Sequence, residues 1–479
     1  MVSNFLCSIT QPVFSIVQLP IELLVQIFEL AALSTPKLHI DAGNTRSSLI
    51  TTQRISAVCS SWREIALNCS HLWAEMYFWK APSQELLELW LTRSKGDPLK
   101  ICVDLEDPSW STYPKLEQFA EGLVTHASRF YSLCVHAHPN FGNSLAAANG
   151  TGRSPSSAPS PRLAGHNPMV SPLLQQLAVG CKSKSSLQIF RYRDNSKDIP
   201  WGVVHRSNMA KENAFFNSLK VLDVHGRSVH CWWAAHGLTE YRLWNTFCPS
   251  LHHILTVIKN SPNLVVLELV GVEVMGIRGF EPLYDDPVQL LSLKEFRLQC
   301  DNNCQSRNIL PFIYAPHITK LSLNLYDDYY RVEDRNLLST FLNSITSQAL
   351  DLEVATGELP YFPLHSQYLD YTETLARVFG QARQVSKVQF KYLDSLKDRS
   401  VYDQALHWTS LHEVTVEGGS IVEATLQSLA SATESRISKL KVGGVLVYND
   451  SQALLSPEEW ASMVQSLREK VDVLEINDP

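Results

Sequence analysis

The chain has 479 residues, 45% of them hydrophobic and 19% charged, which is enough apolar material for several domains or for one small domain and a long repeat array. Its 41 Lys and Arg stand against 48 Asp and Glu, and the net charge of −7 argues against a protein that coats nucleic acid. No run of 18 apolar residues occurs, so no span of a membrane is expected.

No basic segment precedes the mild hydrophobicity of the first 20 residues, so a secretory signal is not expected and the chain is placed in the cytoplasm, the nucleus or both. The 10 scattered cysteines then read as reduced thiols buried as small hydrophobes. Asn68 and Asn149 head glycosylation patterns that carry little meaning without a secretory route. Cys300 and Cys304 in CDNNC have no second pair nearby, and neither a metal nor another cofactor is expected.

In chain order, the first predicted element is a helix in QLPIELLVQIFELAALSTP, residues 18–36, with Pro20 suited to the first turn and Pro36 marking a stop. Ile21, Leu23, Leu24, Val25, Ile27, Phe28, Leu30, Ala31 and Ala32 cover an arc of roughly 220°, whereas a surface helix needs a stripe only a little over ~100° wide. One packing partner does not cover that arc. Either the helix is sunk in a large core, or it packs on its own domain with one side and on a second protein with the other. A polar connection, KLHIDAGNTRSSLI, leads to RISAVCSSWREIAL, where Ile55, Val58, Cys59, Trp62, Ile65 and Ala66 recur at helical spacings and predict one further amphipathic helix. HLWAEMYFW, with Leu72, Trp73, Tyr77, Phe78 and Trp79, closes this zone near residue 80.

From 81 to 140 the pattern reads helix (SQELLELWLTRSK), strand (LKICVDL), helix (LEQFAEGLVTHASR) and strand (FYSLCVHA). The tract 141–172 has almost nothing to bury and is predicted to be disordered; its Ser154, Ser160 and Ser171 each precede proline and are conceivable phosphorylation sites. From 173 to 479 a hexapeptide of the form apolar, x, x, apolar, x, apolar recurs. Its copies are LKVLDV (219), LVVLEL (264), LKEFRL (293), ITKLSL (318), ALDLEV (349), VSKVQF (385), LHEVTV (411), ISKLKV (437) and VDVLEI (471). The mean step of about 31 residues is in the range of solenoids. In a strand the fifth position faces away from the fourth and sixth, and it is polar in every copy: Asp223, Glu268, Arg297, Ser322, Glu353, Gln389, Thr415, Lys441 and Glu475. The intervals LHHILTVIKNSP, NLLSTFLNSI, TETLARVFGQA, IVEATLQSLASA and SPEEWASMVQSLREK read as helices, the last opening with a capping box at Ser456 and Glu459. Alternating strands and helices with short connections imply parallel strands.

LPIELLVQIFELA followed by ISAVCSSWREIALNCSHLW closely resembles the F-box, with its leucine-proline start, isoleucine-phenylalanine pair, valine-cysteine, tryptophan-arginine and closing leucine-tryptophan. The resemblance covers about 55 residues and implies a small helical domain that binds the Skp adaptor, which joins it to a cullin-based ubiquitin ligase. It carries adaptor burial over to Leu19, Pro20, Leu23, Leu24, Ile27 and Phe28, and to Val58, Cys59, Trp62, Leu72 and Trp73. The connection from Ser34 to Thr52 is longer than the F-box usually has there. The later repeat looks like the divergent leucine-rich repeats of F-box proteins, many of them fungal, though the asparagine or cysteine of the tidy form is replaced by Val272, Asp301 and Tyr326 in three copies. The expected fold is therefore α+β: a helical F-box at 19–80, a linking unit at 81–140, and an irregular α/β leucine-rich-repeat-like solenoid with a parallel sheet at 173–479. By the same resemblance the array holds the protein to be ubiquitinated, and Glu268, Arg297, Ser322, Glu353, Gln389, Thr415 and Lys441 are the candidate contacts.

No phosphate loop, G-x-S-x-G elbow or H-E-x-x-H helix occurs, and the chain is not expected to be an enzyme. His252 and His253 read as a half-exposed helical pair rather than ligands; YDDYY at 326–330 reads as a loop, with partner contact as its alternative; CWWAAHGLTEYRLWNTF at 231–247 reads as core or cap. The rival functions are an F-box scaffold that transfers no ubiquitin and a structural repeat protein whose helical start is only an N-terminal cap. Four acids against two bases among the outward strand positions form no basic stripe for nucleic acid.

Overall fold

The computed structural model describes residues 19–33, 47–105, 107–111, 113–137, 173, 177, 186–194, 218–226, 235–248, 250–274, 286–300, 306–325, 340–342, 344–346, 350–355, 385–391, 402, 407–431, 437–449, 451 and 453–477. They fall into two compact units, one up to Leu187 and one from Gln188. Among them no helix is long and apolar enough to cross a membrane. The tract 141–172 with its three serines, Asn149, Cys304, YDDYY and TETLARVFGQA lie outside the described residues.

In the first unit α1 (Ile21–Leu33) starts on the Pro20 carbonyl, which accepts from the Leu23 and Leu24 N–H groups at 3.0 and 3.1 Å. The single helix expected over 54–67 is corrected to two, α2 (Ser47–Val58) and α3 (Ser60–Asn68), and α2 begins inside the stretch read as a connection. The break has a local cause. Cys59 is extended, and its Sγ accepts from the Trp62 N–H at 3.5 Å, capping α3 as a small polar side chain does. A short turn α4 (His71–Ala74) then leads into β1 (Glu75–Phe78), so HLWAEMYFW is half turn and half strand.

The next zone has the expected elements. They are α5 (Gln84–Arg93), β2 (Leu99–Asp104), α6 (Tyr113–Val124) and β3 (Phe130–Ala137), with β1, β2 and β3 parallel in that order. Ser83 Oγ caps α5 by accepting from Leu86 N–H at 3.3 Å, and Leu87, Trp90 and Leu91 turn one face inward. Trp90 meets Trp73 edge-on at 6.1 Å, and Phe119 meets Phe78 at 5.1 Å. Each such burial contributes roughly 1.5–3 kcal/mol as an upper figure.

The second unit is a large parallel sheet, so the molecule is an α+β mixture. Its strands are β4 (Ile189–Asp194), β5 (Val221–His225), β6 (Glu240–Trp244), β7 (Val266–Val270), β8 (Glu295–Cys300), β9 (Lys320–Leu325), β10 (Leu350–Ala355), β11 (Val385–Lys391), β12 (Glu413–Glu417), β13 (Lys439–Gly443) and β14 (Val473–Asn477). Each pairs in parallel with the next in chain order. Each of the nine hexapeptides contributes at least its last four residues to these strands. Two further copies, LQIFRY at 187 and LTEYRL at 238, form the start of β4 and most of β6, and the buried Tyr241 and Leu243 put the described part of 231–247 in the core, the first of the two alternatives read there. The first position of every described copy is buried, and the fourth and sixth are buried in all but β14. Among the intervals, α7 (Leu251–Lys259), α8 (Glu423–Ser431) and α9 (Pro457–Lys470) are helices, and residues 340–342 of NLLSTFLNSI are helical. In α9 both arms of the capping box form: Glu459 N–H donates to Ser456 Oγ at 3.3 Å, and Ser456 N–H donates to Glu459 Oε2 at 2.8 Å.

Candidate functional site

Helix α1 divides its apolar arc between two fates. Leu24 is 1% exposed and Phe28 equally buried, the Phe28 ring standing 4.8 Å from that of Trp62. Leu72 and Trp73 are also interior; the Trp73 indole N–H donates to the Ala66 carbonyl at 2.8 Å, and the Arg93 guanidinium lies 4.5 Å above its ring. Leu23 is 44% exposed, and Ile27, Val58 and Pro20 are also outward. Leu19, Cys59 and Trp62 are half-buried between the two groups. The eleven residues carried over from the resemblance therefore split: Leu24, Phe28, Leu72 and Trp73 hold the helices together, and the others reach the surface.

The outward set gains two members that the resemblance did not supply, Ile21 and Leu30, both exposed. Leu23, Ile27 and Leu30 recur at four and three residues and form one stripe, a spacing already visible in the sequence. Polar residues do not interrupt it. Beside it, Cys69 Sγ donates to Glu29 Oε1 at 4.0 Å, and burial together with the Glu29 charge pushes the Cys69 thiol up.

The second candidate surface is a row across the sheet of the second unit. Parallel register sets Arg191, Asp223, Arg242, Glu268, Arg297, Ser322, Glu353, Gln389, Thr415, Lys441 and Glu475 side by side, one residue from each strand. The seven candidate target contacts are consecutive in it. Arg191 and Arg242 were missed because a tyrosine, Tyr192 or Tyr241, holds an apolar position in each of their hexapeptides. Asp223 and Ser322 are buried and the rest half-buried, since neighbours about 4.8 Å apart cover one another.

The charges alternate at the β4 end. Arg191 Nε is 3.8 Å from Asp223 Oδ2, His225 Nε2 is 2.8 Å from Asp223 Oδ1, and Arg242 Nε is 3.5 Å from Glu268 Oε2. Burial alone would raise the Asp223 carboxyl, but the His225 hydrogen bond and the His225, Arg193 and Arg242 charges outweigh it and hold the group below its ordinary value. Trp244 is the centre of an aromatic and cationic patch. Its indole N–H donates to Glu268 Oε2 at 3.0 Å, the His225 ring stacks on it at 5.1 Å, and the Arg297 guanidinium lies 4.9 Å from its centroid. Farther along, Lys391 pairs with Glu353 at 3.2 Å and Gln389 donates to Glu417 at 2.8 Å. Such a line of donors and acceptors can hydrogen-bond and ion-pair with an extended partner. His252 is exposed and His253 half-buried, with His253 Nδ1 2.8 Å from Ser250 Oγ.

Residues 16–79 match the family model described as F-box-like, a span that runs from before α1 through β1. No curated protein matches the chain. F-box domains generally bind Skp-type adaptors.

Proposed function

From the premise that this chain carries an F-box-like domain at residues 16–79, we propose that it is the substrate-recognition subunit of a Skp–cullin–F-box ubiquitin ligase. The outward stripe of α1 binds the Skp adaptor, and through it a cullin. The parallel sheet of the second unit acts as a divergent leucine-rich-repeat solenoid, and its polar row holds a protein target. In this reading the chain is not itself an enzyme, binds neither nucleic acid nor membrane, and works in the cytoplasm, the nucleus or both.

One observation carries the proposal: Leu23, Ile27 and Leu30 are exposed together on a helix whose other side is already packed. Exposed apolar stripes of this kind mark interaction sites. The test is calorimetric titration of the full chain with a Skp adaptor, beside a Leu23→Asp, Ile27→Asp variant. Binding by the wild type, weakened about 30-fold or more in a variant whose circular dichroism is unchanged, supports the reading. A wild-type chain that does not bind overturns it.

A further inference from the structure

On β2 and β3 of the first unit, Cys102 and Cys134 are in-register neighbours, and His136 follows Cys134 by two residues. Strand alternation puts all three side chains on one face. That face is opposite the one on which Ile101, Val103, Leu133 and Val135 are buried in the core. The two sulfurs and a ring nitrogen of His136 all lie within 4.8 Å of one another, with Cys134 Sγ 3.1 Å from His136 Nε2. Cys134 is 6% and His136 7% exposed, while Cys102 is half-buried, so the cluster has a covered floor and one more open side. Asp104, in register with His136, accepts from the Tyr77 hydroxyl at 2.8 Å, which anchors a carboxylate beside the group.

We propose that Cys102, Cys134 and His136 bind one zinc ion, an activity separate from the adaptor surface on α1. Two thiolates and an imidazole form a borderline-soft donor set suited to that ion. Bond lengths of about 2.3 Å to sulfur and 2.0–2.1 Å to nitrogen place neighbouring ligand atoms ~3.5–3.8 Å apart in a tetrahedron, and the separations here require only small side-chain adjustments. The fourth position falls on the open side at Cys102 and takes a water molecule. Binding releases the two thiol protons, so affinity rises with pH.

The test uses the full chain, reduced and freed of metal, titrated first with Co²⁺ and then with Zn²⁺. The expected result is one equivalent of Co²⁺ with the thiolate charge-transfer and intense visible bands of a tetrahedral site, loss of those bands on adding Zn²⁺, and uptake weakened tenfold or more, to about the level of a lost ligand, in Cys102→Ser. Cys59→Ser and Cys248→Ser are expected to retain the bands. Independently of any variant, Zn²⁺ is expected to slow maleimide labelling of Cys102 in the wild type, read by peptide mapping. Absent cobalt bands, bands that survive the loss of both Cys102 and Cys134, or a labelling rate indifferent to Zn²⁺ would overturn the proposal.

Discussion

Leu23 and Leu24 are chain neighbours of one chemical type, yet one faces solvent and the other the interior. Leu24→Ala is expected to cost about 2–5 kcal/mol through the cavity it leaves, read as a lowered urea midpoint. Leu23→Ala is expected to stay within about 0.5 kcal/mol of the wild type in the same measurement and to act on adaptor binding instead. Asp223 offers a test in pH. Its folded carboxyl titrates below the unfolded value of about 3.9, so its ionisation stabilises the fold above that value, and this stabilisation is lost as pH falls through the folded one. Asp223→Asn is therefore expected to be less stable at pH near 7 but to lose less of its stability between about pH 7 and pH 3, as compared by urea melts.

At the scale of elements, Ser456→Ala removes one arm of a capping box and is expected to cost about 1 kcal/mol, with faster amide exchange over the first turn of α9. That cap was legible because Ser, Pro and Glu stand in a fixed order. The cap at Cys59 was not, because the apolar spacing on the two sides of the break stays in phase, and periodicity alone cannot separate one helix from two. Strands were legible wherever aliphatic residues or phenylalanine held the fourth and sixth positions. Tyr192 and Tyr241 occupy the same buried places in β4 and β6, and a residue with a polar hydroxyl at an apolar position hid the pattern. The split of the apolar arc of α1 was legible as an excess of apolar surface. Which residues faced out depended on α2 and α3, whose start and break the sequence did not mark.

At the scale of the molecule, each described strand of the second unit's large sheet is hydrogen-bonded in parallel to its neighbours in chain order, so its backbone ladder passes from one strand to the next along the sheet. Leu474 and Ile476 of β14 are half-buried where the matching residues of β8 and β9 are buried. Hydrogen exchange followed by mass spectrometry is expected to show slower exchange for β8 and β9 than for β14. The polar row has a consequence of another kind. Row residues and core residues alternate along the same strands, so most of the row can change one amino acid at a time while the apolar volume behind it stays constant. On the proposed reading of the row as the target-binding face, it is free to change its target without refolding its support. A sequence built this way repeats its framework faithfully and leaves no shared signature at the positions that would distinguish one partner from another.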